Sequence, residues 1–195
     1  MNIIMTGSTS FVGAATVREL LRRGHTVTAI VRPKSSKLDT ILEGNEEALL
    51  SGRLLVTEND LSEPEKLLEK VTKPQDVFCH FGWGGSGSAS RTDKALQEKN
   101  MEISLETIRT AKALGCKKFL FSGSQAEYGM HQDLITENTV CEPKSLYGEA
   151  KLAMREKGEK LCDELGLRYI HARIFSAYGP GDHPWTLVES CLDIF

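Results

Sequence analysis

The sequence has no Cys-x-x-Cys pair, and its five cysteines, Cys79, Cys116, Cys141, Cys162 and Cys191, are scattered and odd in number. That argues against a disulfide framework and a zinc site, and places the chain in a reducing compartment, the cytoplasm. Long apolar runs are missing too. Met1 leads into Asn2-Ile3-Ile4-Met5, too short a stretch for a signal-peptide apolar region or a membrane span, so the chain is expected to start at its fold. No charge of one sign dominates: 24 basic residues stand against 27 acidic ones, net −3, without a long run of either. A nucleic-acid or anionic-membrane surface therefore has no compositional support, and a small-molecule partner is expected. Repeats, low-complexity tracts and linkers are also absent. With 195 residues, 40% apolar and 26% charged, the chain is long enough for one domain with a substantial core and too balanced for a disordered or fibrous protein.

Short apolar runs alternate with longer segments of helical period from the first residues onward, the pattern of β-α-β units around a parallel sheet. Ile3 to Thr6 reads as the first strand. Phe11 to Arg23 follows as a helix with Ala14, Val17 and Leu21 on one stripe and Gly24 as its stop. His25 to Val31 is the second strand, and Leu38 to Leu50, interrupted by Gly44, is one or two short helices. Arg53 to Thr57 is the third strand, after which Ser62-Glu63-Pro64-Glu65 predicts a helix opened by a capping box. Asp76 to Phe81 and Lys118 to Phe121 are strands four and five, on either side of a long helix from Asp93 to Leu114. Tyr147 to Leu165 is a helix stopped by Gly166, Arg168 to Phe175 is strand six, and a short helical piece lies near Trp185 to Phe195. The final Cys191-Leu192-Asp193-Ile194-Phe195 is apolar and has neither stop signal nor polar tail. It predicts an interrupted chain that exposes apolar surface and associates.

The first strand runs into Thr6-Gly7-Ser8-Thr9-Ser10-Phe11-Val12-Gly13 and then a helix, the place where a dinucleotide fold puts its pyrophosphate loop. Gly7 allows the tight turn, Gly13 allows close helix–strand packing, and the helix N-terminus offers free N–H groups to phosphate. Ser10 stands at the middle glycine position and crowds the closest approach slightly. About twenty residues on, where an NAD site carries an acid for the ribose hydroxyls, this chain reads Val31-Arg32-Pro33-Lys34-Ser35-Ser36-Lys37, with no acid. A guanidinium with neighbouring hydroxyls suits a 2′-phosphate, so NADP is favoured over NAD. Ser124 follows strand five, and Tyr147 and Lys151 lie one turn apart on one helix face. A phenol titrates near 10, and a neighbouring ammonium favours the phenolate, so the pair can act as acid and base on a carbonyl/alcohol couple.

On these residues the chain resembles the extended short-chain dehydrogenase/reductases, also known as the NAD-dependent epimerase/dehydratase family. The resemblance runs from residue 2 to about residue 184. It takes in the Thr6 to Gly13 loop, Asn59-Asp60-Leu61, Asp76 to Gly82, Phe121 to Gly129, the Tyr147/Lys151 pair and Arg173 to Asp182. It implies that Asp60 and Leu61 contact the adenine, and that Phe81, Gly82 and Trp83 line the middle of the cofactor. It also implies that Ser122 lies beside the cofactor, that Ser124 orients substrate, that Tyr147 is the acid/base, and that Lys151 grips the nicotinamide ribose and tunes the tyrosine. Asn100 matches the asparagine of the family's long helix. Its amide shares a face with Leu96, Ile103 and Thr107 and must find partners there. In the family's 4,6-dehydratases the hydroxyl residue is followed by an Asp-Glu pair; here Gln125-Ala126 follows Ser124, which disfavours dehydration. His80 reads as a structural strand-end residue, while Glu127 fits a surface position equally well.

The expectation is therefore a Rossmann-type α/β domain over residues 1–195, strand order 3-2-1-4-5-6. Residues 176–195, including His183, Pro184 and Trp185, would begin a substrate region whose lobe is largely absent. The expected activity is NAD(P)-dependent reduction of a keto group on a nucleotide sugar or a similar sugar-like substrate. An epimerase with tightly held cofactor and a non-catalytic NADP-sensing domain remain open, as does a homodimer. No metal is expected.

Overall fold

The structure is a computed structural model and describes residues 1–85 and 88–182. Its centre is a six-stranded parallel sheet of β1 (Asn2–Thr6), β2 (Thr26–Val31), β3 (Leu54–Glu58), β4 (Val77–His80), β5 (Lys118–Ser124) and β6 (Arg168–Ile174). The strand order is β3-β2-β1-β4-β5-β6, as the alternation of elements implied. Alternate residues of each strand serve opposite faces because side chains in a strand alternate with period two. Ile3, Met5, Val27, Ala29, Leu54 and Cys79 pack with Ala14 and Val17 of α1 (Phe11–Arg22), with Ile41 of α2 (Asp39–Leu42) and with Ala48 of α3 (Glu46–Leu50). On the other face Ile4, Ile30, Phe78, Phe119 and Phe121 pack with Leu67 of α4 (Leu67–Lys70), Ile108 of α5 (Lys94–Ala113) and Met154 of α6 (Leu146–Leu165). Strands buried on both faces read as continuous apolar runs, which is why they were legible in the sequence. Among the described residues no helix is long and apolar enough to cross a membrane.

Two local readings change, at Ser62 and at the end of β5. Ser62 does not cap a helix: its backbone N–H and its hydroxyl both donate to Asp60 Oδ1, at 2.8 and 2.6 Å. The carboxylate is the stronger acceptor, so the serine closes a turn, and a tight helical turn starts at Pro64 without a side-chain cap. The segment around Gly44 resolves into the two short helices α2 and α3. β5 runs three residues past Phe121, because its extra length pairs with β6 up to Ser124 opposite Ile174. The helical piece expected near Trp185 to Phe195 lies outside the described residues.

Buried His80 makes a testable contribution. Its Nδ1 faces Thr6 Oγ1 at 2.8 Å and its Nε2 faces Ser104 Oγ at 3.1 Å, while the Ser104 hydroxyl donates to the Asn100 carbonyl at 2.8 Å. The Ser104 hydrogen is thus spent, so Nε2–H donates to Ser104 and Nδ1 accepts from Thr6: His80 is neutral. Burial lowers its pKa to about 3. A base depressed from its ordinary value of about 6.5 costs stability as pH falls below that value, until it protonates in the fold as well. Acid titration of unfolding should therefore show a loss of about 1.4 kcal/mol per pH unit from this group, starting near pH 6.5. His80→Gln should flatten that slope; an unchanged slope would show that His80 does not couple folding to protons.

Candidate active site

The strand order reverses between β1 and β4, and in doubly wound sheets the ends of the strands at such a switch point leave a crevice. A cavity of about 770 Å³ opens there. At one end stands the β1–α1 turn. Gly7 has φ +68°, a left-handed backbone, and a Cβ on it would lie 2.7 Å from the Phe81 carbonyl carbon. Ser10 caps α1: its side chain accepts from Gly13 N–H at 3.1 Å and donates to Gly7 O at 2.7 Å. The Phe11 and Val12 amides, in the first turn, have no helical carbonyl to bond. Both residues line the cavity with Gly7, Thr9 and Ser10. Gly13 does not line it; its missing side chain is what lets the Gly7 carbonyl pack against α1.

The flanks come from β2 and β4. Arg32 and Lys37 line the cavity, whereas Ser35 and Ser36 do not, and Ser35 Oγ accepts from Lys37 N at 3.3 Å. Lys37 thus stands where the hydroxyls of Ser35 and Ser36 were expected. Leu61, Phe81, Gly82 and Trp83 line the middle. Asp60 is exposed and holds Ser62, and buried Asn59 lines the wall instead. Asn100 does not reach the cavity either. Its amide clamps the Gly84 peptide, accepting from Gly84 N at 3.0 Å and donating to Gly84 O at 2.8 Å, and so fixes the loop that carries Trp83.

At the other end, Ser122, Ser124, Tyr147 and Lys151 share one wall. α6 is capped by Ser145, whose side chain accepts from Gly148 N at 3.1 Å, so that Tyr147 enters in the first turn and Lys151 one turn later. Lys151 is 2% exposed, donates to Ser122 O at 2.8 Å and lies 3.9 Å from the centre of the Trp83 ring. Burial lowers its ammonium to about 7, with Glu127 acting in the opposite sense. Burial raises the Tyr147 phenol, while the Ser124 hydroxyl and the Arg91 guanidinium pull it back. The structure adds a second cation to the one the sequence pointed to: the Arg91 guanidinium lies 4.9 Å from the centre of the Tyr147 ring and Lys151 Nζ 5.7 Å from it, while Lys151 is also desolvated and held by the Ser122 carbonyl.

The lining carries Arg32, Lys37, Arg91 and Lys151 and, among the described residues, no Asp or Glu. A polyanion with several phosphates fits that donor set, and the free amides of α1 supply its anchor. Sequence reasoning missed Arg91, Lys37 and Glu127. Lys37 stood in the basic segment already noted. Arg91 carried no local signal, because only the packing of its turn against Tyr147 gives it a role.

This geometry has known counterparts. The chain is 30% identical over 87% of its length to the dTDP-6-deoxy-L-talose 4-dehydrogenase (NAD(+)) of Aggregatibacter actinomycetemcomitans and spans 60% of that protein. Among solved structures, the dTDP-glucose 4,6-dehydratase of Streptomyces venezuelae, with NAD bound, matches 99% of this chain and 62% of its own at a TM-score of 0.82 and 21% identity. The UDP-glucose 4-epimerase of Thermotoga maritima with UDP-glucose matches 95% and 59%, at a TM-score of 0.78 and 26% identity. The sequence model of the NAD dependent epimerase/dehydratase family matches residues 3–193, and the chain belongs to that family.

Proposed function

We propose that this chain carries the cofactor and acid–base half of an NAD(P)-dependent oxidoreductase acting on a keto or hydroxyl group of a nucleotide sugar, with NADP the preferred cofactor. One observation carries the reading: Ser124, at the end of β5, and the Tyr147/Lys151 pair of α6 line one end of a cavity whose other end is a helix N-terminus with open amides. When bound, the nicotinamide supplies or accepts hydride. The chain's own residues do the rest. The Phe11 and Val12 amides hold phosphate, and Trp83 and Phe81 wall off water from the middle of the cavity. Ser124 donates a hydrogen bond to the substrate oxygen, and the Tyr147 hydroxyl gives that oxygen a proton or takes one from it. Lys151 binds a ribose hydroxyl from the floor. The four described cysteines are free thiols, and burial raises Cys79 to about 11 and Cys116 and Cys162 to about 12. Such inert thiols suit a reducing cytoplasm.

The cofactor preference rests on Arg32 and Lys37 at the cavity edge, with no acid among the described lining residues; Glu58, at the end of the neighbouring strand, faces the Lys34 backbone and does not line the cavity. Titration of Trp83 fluorescence in a Trp185→Phe background should show NADPH binding more tightly than NADH. Arg32→Asp, which removes one charge-assisted contact, should weaken NADPH by about ten- to a hundredfold and leave NADH nearly unchanged. Equal affinities in the unsubstituted protein would reject the NADP preference, and no binding of either nucleotide would reject the whole reading. NADPH oxidation against a panel of nucleoside diphosphate ketosugars tests the reaction. Relatives with epimerase names keep a second reading in view, epimerisation with a retained cofactor, which predicts nucleotide co-purifying with the protein in stoichiometric amount.

A further inference from the structure

Behind the cavity wall lies a charged group that the reaction above does not use. Glu127, in the turn Gln125–Glu127 after β5, is 0% exposed. Its Oε1 accepts from the Ser124 backbone N–H at 2.7 Å. His171 Nε2 donates to the same carboxylate at 2.9 and 3.0 Å, and Arg173 Nε donates at 2.7 Å. The arginine is held in turn by the Tyr128 hydroxyl at 2.9 Å and by Cys141 Sγ at 3.4 Å. Gly123 makes room for this arrangement, since a Cβ on it would lie 2.5 Å from His171 Nε2 and 2.6 Å from Glu127 Oε1. Gly123 also lines the cavity, so the carboxylate and the imidazole stand directly behind the wall. The residues either side of Gly123 are gripped separately: Lys151 holds the Ser122 carbonyl and Glu127 the Ser124 amide.

Burying a carboxylate costs more than an apolar residue of the same size would, unless its charge has a use. We propose that Glu127 is a positioning residue of this site: its carboxylate fixes the Ser124 turn through the backbone and, across Gly123 from the Ser122 carbonyl that holds Lys151, serves as the buried counter-charge of that ammonium. The proposal rests on reading Ser124, Tyr147 and Lys151 as the reacting group, yet its test reads a charge and not turnover, so the two can fail separately. The groups facing Lys151 are neutral His80 from β4, Tyr147 from its own helix, and Glu127. Those facing Glu127 are His171, Arg173 and Tyr169 from β6, and Tyr147 and Lys151 from α6. Of these, Glu127 alone is a carboxylate, and it is the group that opposes the effect of burial on Lys151.

Trp83 reports the lysine's charge, because Lys151 Nζ lies 3.9 Å from the centre of its ring. In a Trp185→Phe background without added ligand, tryptophan emission should change across the neutral pH range, and Lys151→Met should abolish that change. Glu127→Gln, which keeps the shape and removes the charge, should lower the midpoint by on the order of one pH unit. Glu127→Asp, which keeps the charge and loses reach, should leave it near the unsubstituted value. Arg173→Gln removes a cation that shares the carboxylate and should raise it, which tests the same charge even if Glu127→Gln does not fold. The absence of any Lys151-dependent transition, an unchanged midpoint in Glu127→Gln, equal shifts in the Gln and Asp variants, or a fall in Arg173→Gln would each overturn the proposal.

Discussion

Tyr147→Phe is expected to lower turnover by about 10²–10⁴, the usual weight of a positioned acid/base, while folding and dinucleotide affinity change little. The ring's contacts do not depend on its oxygen: it meets Trp83 edge to face, with centroids 6.3 Å apart, and lies under the Arg91 guanidinium at 4.9 Å. Phenylalanine keeps both contacts. Only the proton-carrying hydroxyl and its interaction with Ser124 are lost. Because burial raises the phenol above its ordinary pKa, the protonated form dominates at neutral pH and is ready to donate to a carbonyl oxygen. In the alcohol-oxidising direction the rate should therefore keep rising with pH beyond neutrality. Arg91→Leu should push that limb to still higher pH, because it removes the cation that favours the phenolate. Steady-state rates of both variants, with NADPH affinity measured in parallel by Trp83 fluorescence, check the assignment. Turnover within a few-fold of the unsubstituted protein in Tyr147→Phe would mean that the proton comes from another group.

Gly7→Ala is expected to damage the fold and the cofactor site together. At φ +68° an L side chain costs about 1–2 kcal/mol. The new Cβ would also lie 2.7 Å from the Phe81 carbonyl carbon and 2.8 Å from the Gly82 nitrogen, both backbone atoms that cannot swing away. Overpacking of that kind costs about 1–3 kcal/mol, so the two effects sum to about 2–5 kcal/mol of stability, measurable by urea or thermal unfolding. The strain is relieved by parting the β1 and β4 turns, which line the cavity, so NADPH affinity should fall by about ten- to a hundredfold. Gly24→Ala is the control. Gly24 has a similar φ of +79°, but a Cβ there meets nothing within 4 Å, so only the backbone cost of about 1–2 kcal/mol and no change in affinity are expected. Equal effects in the two variants would refute the steric argument.

The amino-acid sequence by itself determined the alternation of strands and helices, and with it the parallel sheet, because strands buried on both faces and helices with one apolar stripe each leave a local pattern. It also marked Gly7, Tyr147 and Lys151, whose chemistry is legible from a turn and a one-turn spacing, whereas Ser10, read only as the residue at the middle glycine position, proved to cap α1. Ser124 was legible only as a residue beyond a strand; its place as the last residue of β5 depends on pairing with Ile174, a partner fifty residues away. What the sequence could not decide were roles made by partners distant in the chain. Asn100 acts on the Gly84 peptide, and Arg91 acts on the Tyr147 ring. Glu127, which could equally have been a surface residue, became the buried hub of His171, Arg173 and Ser124. The one trace it left was that His171 and Arg173 are two apart on β6 and so share a face. Burial and electrostatics depend on which atoms lie within a few ångströms in space, and neighbours in sequence do not report that. The same reason hid Arg91 beside Lys151 as a cation at the phenol, since only the folded chain brings its guanidinium over the Tyr147 ring.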